Sequence, residues 1–249
     1  EVWDPLDYRW VIEMTPLAVH GGMSGEEFVS NLDYTAHTAG LFAAELAAQG
    51  IAVEGEPARM RAPEGAELVG MVESATVEEV TGWMMKSSNN SVSEALARHV
   101  AIARSEGSTA AAGAAAVTAE IAALGLPSTG LYLADTCGLA SENLISAELL
   151  AATIRLAHSG EEPRLQSLLA WLPVSYLDGT LAGRIPNAPG EIRAKTGTLN
   201  RVISLTGIVE ARSGSRVIFS IVAAGLEPGT AYSARMRIDQ FVTALAETA

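Results

Sequence analysis

Residues 194–199 read Ala-Lys-Thr-Gly-Thr-Leu, and the segments on both sides of them are apolar and β-branched. This pattern predicts a β-strand near a sheet edge that faces a cleft. Gly197 would let a ligand or another segment approach the backbone closely, and Lys195 and Thr196 could hold an anion. Lys-Thr-Gly also occurs by chance, so the polar end of an ordinary strand is the simpler interpretation of this stretch taken alone.

The residues after this stretch predict more of the same sheet. Segments 205–210 and 216–224 are apolar, and Ser213-Gly214 between them is a hairpin signal. Residues 230–248 predict a closing amphipathic helix, whereas residues 8–14 alternate as a strand does. We therefore predict an α/β fold with a helical middle and an antiparallel sheet whose strands come from the start and the end of the chain.

Capping signals divide the middle of the chain into helices. Residues 24–27 (Ser-Gly-Glu-Glu), 76–79 (Thr-Val-Glu-Glu) and 91–94 (Ser-Val-Ser-Glu) each have the form of a capping box. They predict three helix starts, and the first of these helices continues to Gly50. The remaining predicted elements are helices at 108–124, 146–158 and 163–172, short strands at 51–53 and 68–72, a tight loop at 135–139 and a turn at 178–179.

Composition limits the class of protein. The 249 residues suit one sizeable domain or two small ones, and no clear domain boundary is visible. The formal net charge is −13, and no basic stripe with interleaved aromatic residues is present, which argues against nucleic-acid binding. Cys137 is the single cysteine, so no internal disulfide can form.

The start of the sequence has neither a signal peptide nor an initiator methionine. No apolar run reaches the roughly 18 residues that a membrane span needs. We therefore expect the chain to be processed, truncated or cut from something longer.

A second polar cluster, Ser88-Asn89-Asn90, lies between two predicted helices. Such a loop is short and exposed, and rigid elements hold its side chains in place. A serine hydroxyl can relay a proton, and an asparagine amide can bind a carbonyl group or a lysine. The alternative is that Ser88, Asn90 and Ser91 are only helix caps, which is the favoured interpretation of this cluster on its own.

Taken together, Ser-x-Asn at 88–90 and Lys-Thr-Gly at 195–197, followed by a hairpin and a last helix, resemble the penicillin-binding proteins and serine β-lactamases. The chain is most similar to the D-alanyl-D-alanine carboxypeptidase/endopeptidase family, the low-molecular-mass class C penicillin-binding proteins. The resemblance runs from about residue 17 to the C-terminus and implies the transpeptidase fold of this superfamily. The stretches that carry it are 84–96, 135–143, 172–174, 178–181 and 193–199.

Some residues depart from the family pattern. Asn89 stands where the family usually has aspartate, Thr136 and Cys137 replace glycine and serine, and Ser93 replaces alanine. These changes are modest, and they leave the order of the motifs intact.

The larger departure concerns the nucleophile, which the family carries in a Ser-x-x-Lys motif near the N-terminus, before long insertion domains. The chain has two lysines, Lys86 and Lys195, and the residues three positions earlier are Trp83 and Ile192. The motif is therefore absent from this sequence. We expect residues 1–249 to be the C-terminal part of a DD-peptidase domain, with the nucleophile segment and the insertion domains in a missing segment or a separate chain.

The resemblance implies a serine-type D-Ala-D-Ala carboxypeptidase/endopeptidase that acts on peptidoglycan peptides through an acyl-enzyme and is inhibited by β-lactams. In that scheme Ser88 passes a proton to the leaving nitrogen, and the backbone N–H of Thr198 supplies half of the oxyanion hole. The implied catalytic residues are Ser88, Asn90 and Lys195, and the implied substrate-binding residues are Lys195, Thr196, Gly197 and Thr198.

Further expectations concern ligands, partners and location. We expect no cofactor. The mechanism that the resemblance implies needs no metal, and the four histidines show no ligand spacing (His20, His37, His99 and His158). Asp135 and Cys137 are expected to be structural. The expected partners are stem peptides ending in D-Ala-D-Ala, β-lactam antibiotics and the N-terminal part of the same protein, at a site outside the cytoplasmic membrane.

Two alternatives stay open. One is a non-catalytic homologue that binds cell-wall peptide or a partner protein without turnover. The other is a β-lactamase or an esterase on the same fold, although the Leu-Pro-Val and Asp-Gly-Thr-Leu segments at 172–174 and 178–181 favour the carboxypeptidase branch.

Overall fold

The computed structural model describes residues 3, 10–12, 14–15, 23–24, 27–28 and 33–248. These fall into two compact units, residues 3–75 and residues 76–248. No helix in this described part of the chain combines the length and the hydropathy that a membrane span requires. The Ser-x-Asn and Lys-Thr-Gly motifs both lie in the second unit.

The first unit contains a strand pair and one helix. Strands β1 (Met23–Ser24) and β2 (Glu27–Phe28) pair in antiparallel orientation, and helix α1 (Tyr34–Ala48) follows. The predicted helix start at 24–27 is therefore wrong. The helix begins after Asp33, whose carboxylate accepts the backbone N–H of Ala36 at 3.0 Å and so satisfies a free donor of the first turn.

Three short strands predicted from apolar patterns are not found among the described residues. Residues 51–53 and 68–72 form no strand, and Val69 and Val72 are 98% and 95% exposed. A segment with alternating apolar residues forms a strand only where it can pair with a neighbouring strand and bury its apolar face. Within the predicted strand at 8–14, residues 10–12 and 14 lie in turn or irregular backbone, and the others fall outside the described residues.

The second unit begins with helices whose starts follow local capping chemistry. Thr76 and Glu79 form the complete predicted capping box, and Thr109 and Ser146 cap the two helices predicted near 108–124 and 146–158. The helices are α2 (Val77–Ser87), α3 (Asn90–Ala103), α4 (Ala110–Ala123), α5 (Ala147–Ser159) and the four-residue α6 (Leu168–Trp171), with 3-10 turns at Pro163–Leu165 and Gly179–Leu181.

The third predicted capping box is wrong. The N-cap of α3 is Asn89, whose side chain accepts the backbone N–H of Val92 at 2.9 Å. Ser91 lies inside the helix and is buried, and the Glu94 carboxylate bonds to a distant loop instead of the helix start. The sequence pattern matches a capping box, but Glu94 accepts a hydrogen bond from Thr136 instead of capping the helix.

The strands of the second unit form an antiparallel sheet in the order β3-β4-β5. They are β3 (Ile192–Leu199), β4 (Val202–Glu210) and β5 (Arg216–Ala224), so the hairpin with Ser213-Gly214 in its turn is confirmed. Lys195 lies opposite Thr206, and Gly197 lies opposite Ser204. All three strands come from the end of the chain, so the predicted contribution from its start is not found among the described residues.

Both faces of this sheet are covered by helices. Helix α7 (Ala231–Thr248) packs on the face to which Leu205 and Val209 of β4 point, and both of these are fully buried. Ile208 points to the other face and packs with Ile154 of α5. This alternation is the two-residue period of a strand with a core on each side.

The same period decides where Lys195 can reach. Ile192 and Ala194 of β3 are fully buried in the core beneath α7. Lys195 therefore starts from the opposite face of the sheet, which is also the side on which α5 packs. A β3 strand with this register directs the single lysine of the Lys-Thr-Gly motif away from the α7 core.

Candidate active site

The turn between α2 and α3 holds Ser88 in an unusual backbone conformation. Ser88 has φ 57° and ψ 46°, in the left-handed region, and its N–H donates to the carbonyl of Met84. For a residue other than glycine this conformation costs on the order of 1 kcal/mol. Asn89 caps α3 immediately afterwards, so two helices hold the turn. Ser88 is the C-cap of α2, as the capping interpretation expected. Asn90 and Ser91 are not caps, because both lie inside α3.

Lys195 of β3 meets Ser88 directly. Its Nζ atom donates to Ser88 Oγ at 2.6 Å, across 107 residues of sequence, and to the carbonyl of Thr196 at 2.9 Å. Burial lowers the pKa of Lys195 from its ordinary 10.5 to about 8, because desolvation disfavours the charged amine. The two motifs therefore form one polar site, in which the lysine is still mainly protonated at neutral pH.

The outer edge of β3 is divided in two by residues 172–181, which we call the edge segment. Ser175 N–H donates to the carbonyl of Ile192 at 2.8 Å, and Ala194 N–H donates to the carbonyl of Pro173 at 2.9 Å. Backbone groups alternate along a strand, so those of Thr196 and Thr198 point to this same side. The backbone pairing of the edge segment thus covers the first half of β3 and stops at Ala194, before the Thr-Gly-Thr residues.

Thr196 and Gly197 have specific partners in the fold. The Thr196 hydroxyl donates to the Thr180 hydroxyl of the edge segment at 2.7 Å. Gly197 faces Ser204 of β4, and a Cβ atom on Gly197 would collide with the Ser204 hydroxyl. A side chain at position 197 would therefore require the Ser204 hydroxyl to move, and the close approach of a ligand that the sequence predicts stays a prediction.

The structure brings the predicted site residues to one region of the second unit. Asn90 is the first residue of α3, two positions after Ser88, and it is partly buried, as are Lys195 and Thr196. The Thr198 side chain is exposed near the end of β3. The catalytic and substrate-binding roles of these residues stay predictions.

Sequence reasoning missed the role of Lys86, the other lysine. Its Nζ atom donates to the carbonyl of Leu172 and to Asp178 Oδ2, both at 2.6 Å. Burial raises the pKa of Asp178, but the hydrogen bonds from Lys86 and Val174 and the charges of Lys86 and Arg193 outweigh it, so the pKa is below its usual value. The scarcity of lysine pointed to Lys86, and the Asp-Gly-Thr-Leu segment pointed to Asp178, but no sequence signal paired them.

The loop after residue 134 is built around the Asp135 carboxylate, which is fully buried. Its Oδ1 atom accepts the N–H of Gly138 at 2.8 Å and the amide of Asn143 at 2.7 Å, and its Oδ2 atom accepts the N–H groups of Leu139 and Ala140 at 3.0 and 2.7 Å. A buried carboxylate with this many donors stabilises a fixed loop conformation. The contacts support the structural role that we expected for Asp135.

Glu94 ties this loop to α3, which sequence reasoning did not anticipate. Its Oε1 atom accepts the N–H groups of Thr136 and Cys137 at 2.7 and 3.0 Å, and its Oε2 atom accepts Arg98 at 2.8 Å. Burial and then the charge of Asp135 raise the pKa of the Cys137 thiol, which disfavours the nucleophilic thiolate.

Glu94, Asp135 and Cys137 are also the group of possible metal ligands that lie close together in the described part of the chain. Both carboxylates already accept backbone and side-chain donors, so a cation would have to displace them. The contacts fit a structural network. His20 lies outside the described residues, and the expectation that no metal is needed stays a prediction.

Comparisons with known proteins agree with the motifs. A family model described as the D-Ala-D-Ala carboxypeptidase 3 (S13) family matches residues 14–245. Carboxypeptidase DacB of Mycolicibacterium smegmatis is 29% identical over 239 residues, which cover 91% of this chain and 51% of that protein. The D-alanyl-D-alanine carboxypeptidase of an Actinomadura species is 33% identical over 195 residues, which cover 74% of this chain and 36% of that protein.

The fold agrees with solved structures. The crystal structure of penicillin binding protein 4 from Haemophilus influenzae, in complex with a β-lactam, superposes with a TM-score of 0.71 at 24% sequence identity, over 89% of this chain and 52% of that one. The α/β fold is therefore that of the penicillin-binding proteins, as predicted. The chain spans about half the length, or less, of the relatives it matches. With a family model that covers nearly its whole length, this chain belongs to the D-Ala-D-Ala carboxypeptidase 3 (S13) family.

Proposed function

We propose that this chain supplies one wall of the active site of a serine-type D-Ala-D-Ala carboxypeptidase/endopeptidase, which cleaves peptidoglycan peptides through an acyl-enzyme and is inhibited by β-lactams. The observation that carries the proposal is the 2.6 Å contact between Lys195 Nζ and Ser88 Oγ, which joins the two motifs. The family membership and the names of the relatives support it.

The nucleophile in this proposal is a serine outside the present sequence, followed three residues later by its own lysine. The present sequence has no Ser-x-x-Lys, and the chain spans only 36–51% of the length of the curated relatives described above. The remaining length offers room for that segment and for insertion domains. The N-terminal part of the same protein is then the partner that completes the site.

The chemistry has two steps. The lysine that follows the nucleophilic serine takes the proton of its hydroxyl, the serine oxygen attacks the carbonyl between the two terminal D-alanines, an ester bond forms, and the C–N bond breaks. Ser88 passes its proton to the leaving nitrogen, which departs as the amino group of D-alanine, and Ser88 regains a proton from that same lysine. Water then hydrolyses the ester and frees the serine. Lys195 donates to Ser88 and supplies positive potential beside it.

The Thr-Gly-Thr end of β3 binds the substrate in this proposal. The Thr198 N–H, on the strand edge beyond the edge segment, donates to the oxyanion, and the serine's own N–H is the second donor. Loss of one such donor costs about 3 kcal/mol of transition-state stabilisation. Thr196 and Thr198 hold the free carboxylate of the last D-alanine, and the third proton of the Lys195 ammonium is directed to the same anion.

Asn90 and the location of the enzyme complete the proposal. Asn90 hydrogen-bonds the acyl part of the substrate or the lysine next to the nucleophile, since it lies two residues from Ser88 at the start of α3. The substrate belongs to the cell wall, so the site works outside the cytoplasmic membrane.

The test uses the complete protein, treated with a labelled penicillin and examined by intact mass. One label per molecule, with release of D-alanine from a D-Ala-D-Ala peptide, is the expected result. No label and no D-alanine would refute the enzyme and leave the non-catalytic homologue. Rapid release of ring-opened penicillin with no peptide cleavage would point to the β-lactamase alternative. Lys195→Ala with unchanged acylation would remove the role given to that lysine.

A further inference from the structure

The edge segment (residues 172–181) is attached to the helix that carries Ser88. Lys86, two residues before Ser88, donates to the first residue of the segment through the Leu172 carbonyl and to its seventh residue through Asp178, each at 2.6 Å. Asp178 also accepts the N–H of Val174 at 2.7 Å through its other oxygen. One lysine and one carboxylate thus fix both ends of residues 172–178 to the last turn of α2.

Gly179 allows the close approach that this attachment needs. It has φ +54°, and a Cβ atom built there would lie 2.6 Å from the carbonyl oxygen of Lys86. Only glycine fits this contact without a shift of the backbone. The turn at 178–179 is therefore packed directly on the end of α2, and Thr180 follows it at a fixed position.

Thr180 reaches the Lys-Thr-Gly strand, β3. Its hydroxyl accepts the Thr196 hydroxyl at 2.7 Å, in a partly buried contact. Each hydroxyl has one proton, so the pair keeps one proton between its oxygens and one that can serve a ligand. A carboxylate only accepts. When it takes the Thr196 proton, the Thr180 proton turns toward Thr196 and strengthens that donor in a chain of hydrogen bonds.

Resting on the proposed function, we propose that Thr180 is a positioning residue of this site: it orients the Thr196 hydroxyl toward the substrate carboxylate, and the Lys86–Asp178 ion pair fixes Thr180 relative to Ser88. The Thr180 hydroxyl bonds to Thr196, so its effect on the site acts through that hydroxyl. Valine has almost the same shape, and the packing of this part of the segment is supplied by Leu181, which is fully buried in the core beneath α7.

The test compares two substrates of the complete protein, a peptide ending in D-Ala-D-Ala with a free carboxylate and the same peptide with a terminal amide. Thr180→Val should lower kcat/KM for the free carboxylate about tenfold, mainly through KM, and change the value for the amide by less than about twofold. Thr180→Ser should restore the preference. Thr243→Val, the same change on α7, is the control and should leave both values unchanged.

The other possible outcomes decide between the proposed function and this inference. A parent protein that cleaves neither peptide overturns the proposed function and this inference with it. A parent that cleaves the free-carboxylate peptide, with an unchanged preference in Thr180→Val, overturns this inference alone. An equal loss for both peptides shows a structural role and also overturns it. If Thr180→Val does not fold, as judged by circular dichroism, Thr180→Ala is measured with the same criteria.

The ion pair has its own readout. Lys86→Met and Asp178→Asn should each slow cleavage of both peptides, because they release the segment from the Ser88 turn. The double variant should be no worse than the more damaged single variant, since each change removes the same connection. Losses that add in the double variant would show that the two residues act separately and would remove this part of the inference.

Discussion

The lowered pKa of Lys195 makes the proposed site sensitive to alkaline pH. With a pKa of about 8, this lysine is about 90% protonated at pH 7 and about 3% protonated at pH 9.5. If the ammonium is the form that attracts the substrate carboxylate, acylation of the complete protein by a penicillin should fall about thirtyfold between these pH values. The decline should be centred near pH 8.

Stability should move in the opposite direction in the same pH window. The folded chain releases the Lys195 proton near pH 8, whereas the unfolded chain keeps it up to its ordinary pKa of 10.5. Between these values the unfolded state binds more protons, so the free energy of unfolding rises with pH. The contribution of this one group is on the order of 3 kcal/mol. The titration of Lys195 therefore stabilises the fold over the range in which acylation is expected to decline.

The measurement combines acylation rates and urea unfolding between pH 6 and pH 10. Lys195→Met is the reference, because it should acylate slowly at every pH and should lack the stability increase that Lys195 contributes. An alkaline limb centred near pH 10.5, or equal pH dependence of stability in the parent and the variant, would refute the argument from burial.

Three further variants test the scaffold of the site. Glu94→Gln should lower the free energy of unfolding by about 3 kcal/mol in urea titration, since an amide cannot accept from the loop and from a guanidinium at once; an unchanged midpoint would contradict this. Gly179→Ala should destabilise the protein and slow acylation, whereas Gly214→Ala, also at positive φ but with open space around it, should cost only about 1 kcal/mol and leave acylation unchanged. Asn89→Ala should lower the free energy of unfolding by about 1 kcal/mol and slow acylation, and Thr109→Ala should lower it as much without slowing acylation. Equal acylation rates in these two cap variants would show that the Asn89 cap does not affect the site.

Local chemistry made much of the second unit predictable. The Thr76 capping box, the Ser146 cap and the hairpin around Ser213-Gly214 were all visible in the sequence, because each depends on residues a few positions apart. The motifs at 88–90 and 195–197 also gave the family.

The wrong predictions concern segments in which a local sequence pattern did not decide the structure. Residues 24–27 look like a capping box, yet the helix starts only after Asp33, and residues 68–72 look like a strand without having a partner strand among the described residues. Glu94 matches a capping box but bonds to residues 42 and 43 positions away. For Glu94 and for residues 68–72 the decisive contact, or its absence, involves residues far apart in the sequence, which periodicity cannot show. The error at 24–27 is local, because Ser24 and Glu27 belong to a strand pair instead of a helix start.

The contacts that shape the candidate site are of this long-range kind. Lys86 and Asp178 are 92 residues apart, and Ser88 and Lys195 are 107 apart. A Ser-x-Asn turn or a Lys-Thr-Gly strand alone is a common local pattern. The specific feature of this chain is that the Ser-x-Asn turn and the Lys-Thr-Gly strand lie at hydrogen-bond distance. An element that contacts both can hold them there.

The edge segment meets this requirement and at the same time solves a problem of the sheet. An uncovered edge strand invites pairing with other chains, so proteins usually cover or interrupt it. Here residues 173–175 cover β3 at Ile192 and Ala194, and the segment then turns at Gly179 onto α2. Because the backbone pairing of this segment stops at Ala194, it does not cover the backbone N–H and C=O groups of Thr196 and Thr198 on the same edge. The same segment therefore covers the first half of β3 and leaves the edge of the second half to the substrate in the function proposed above.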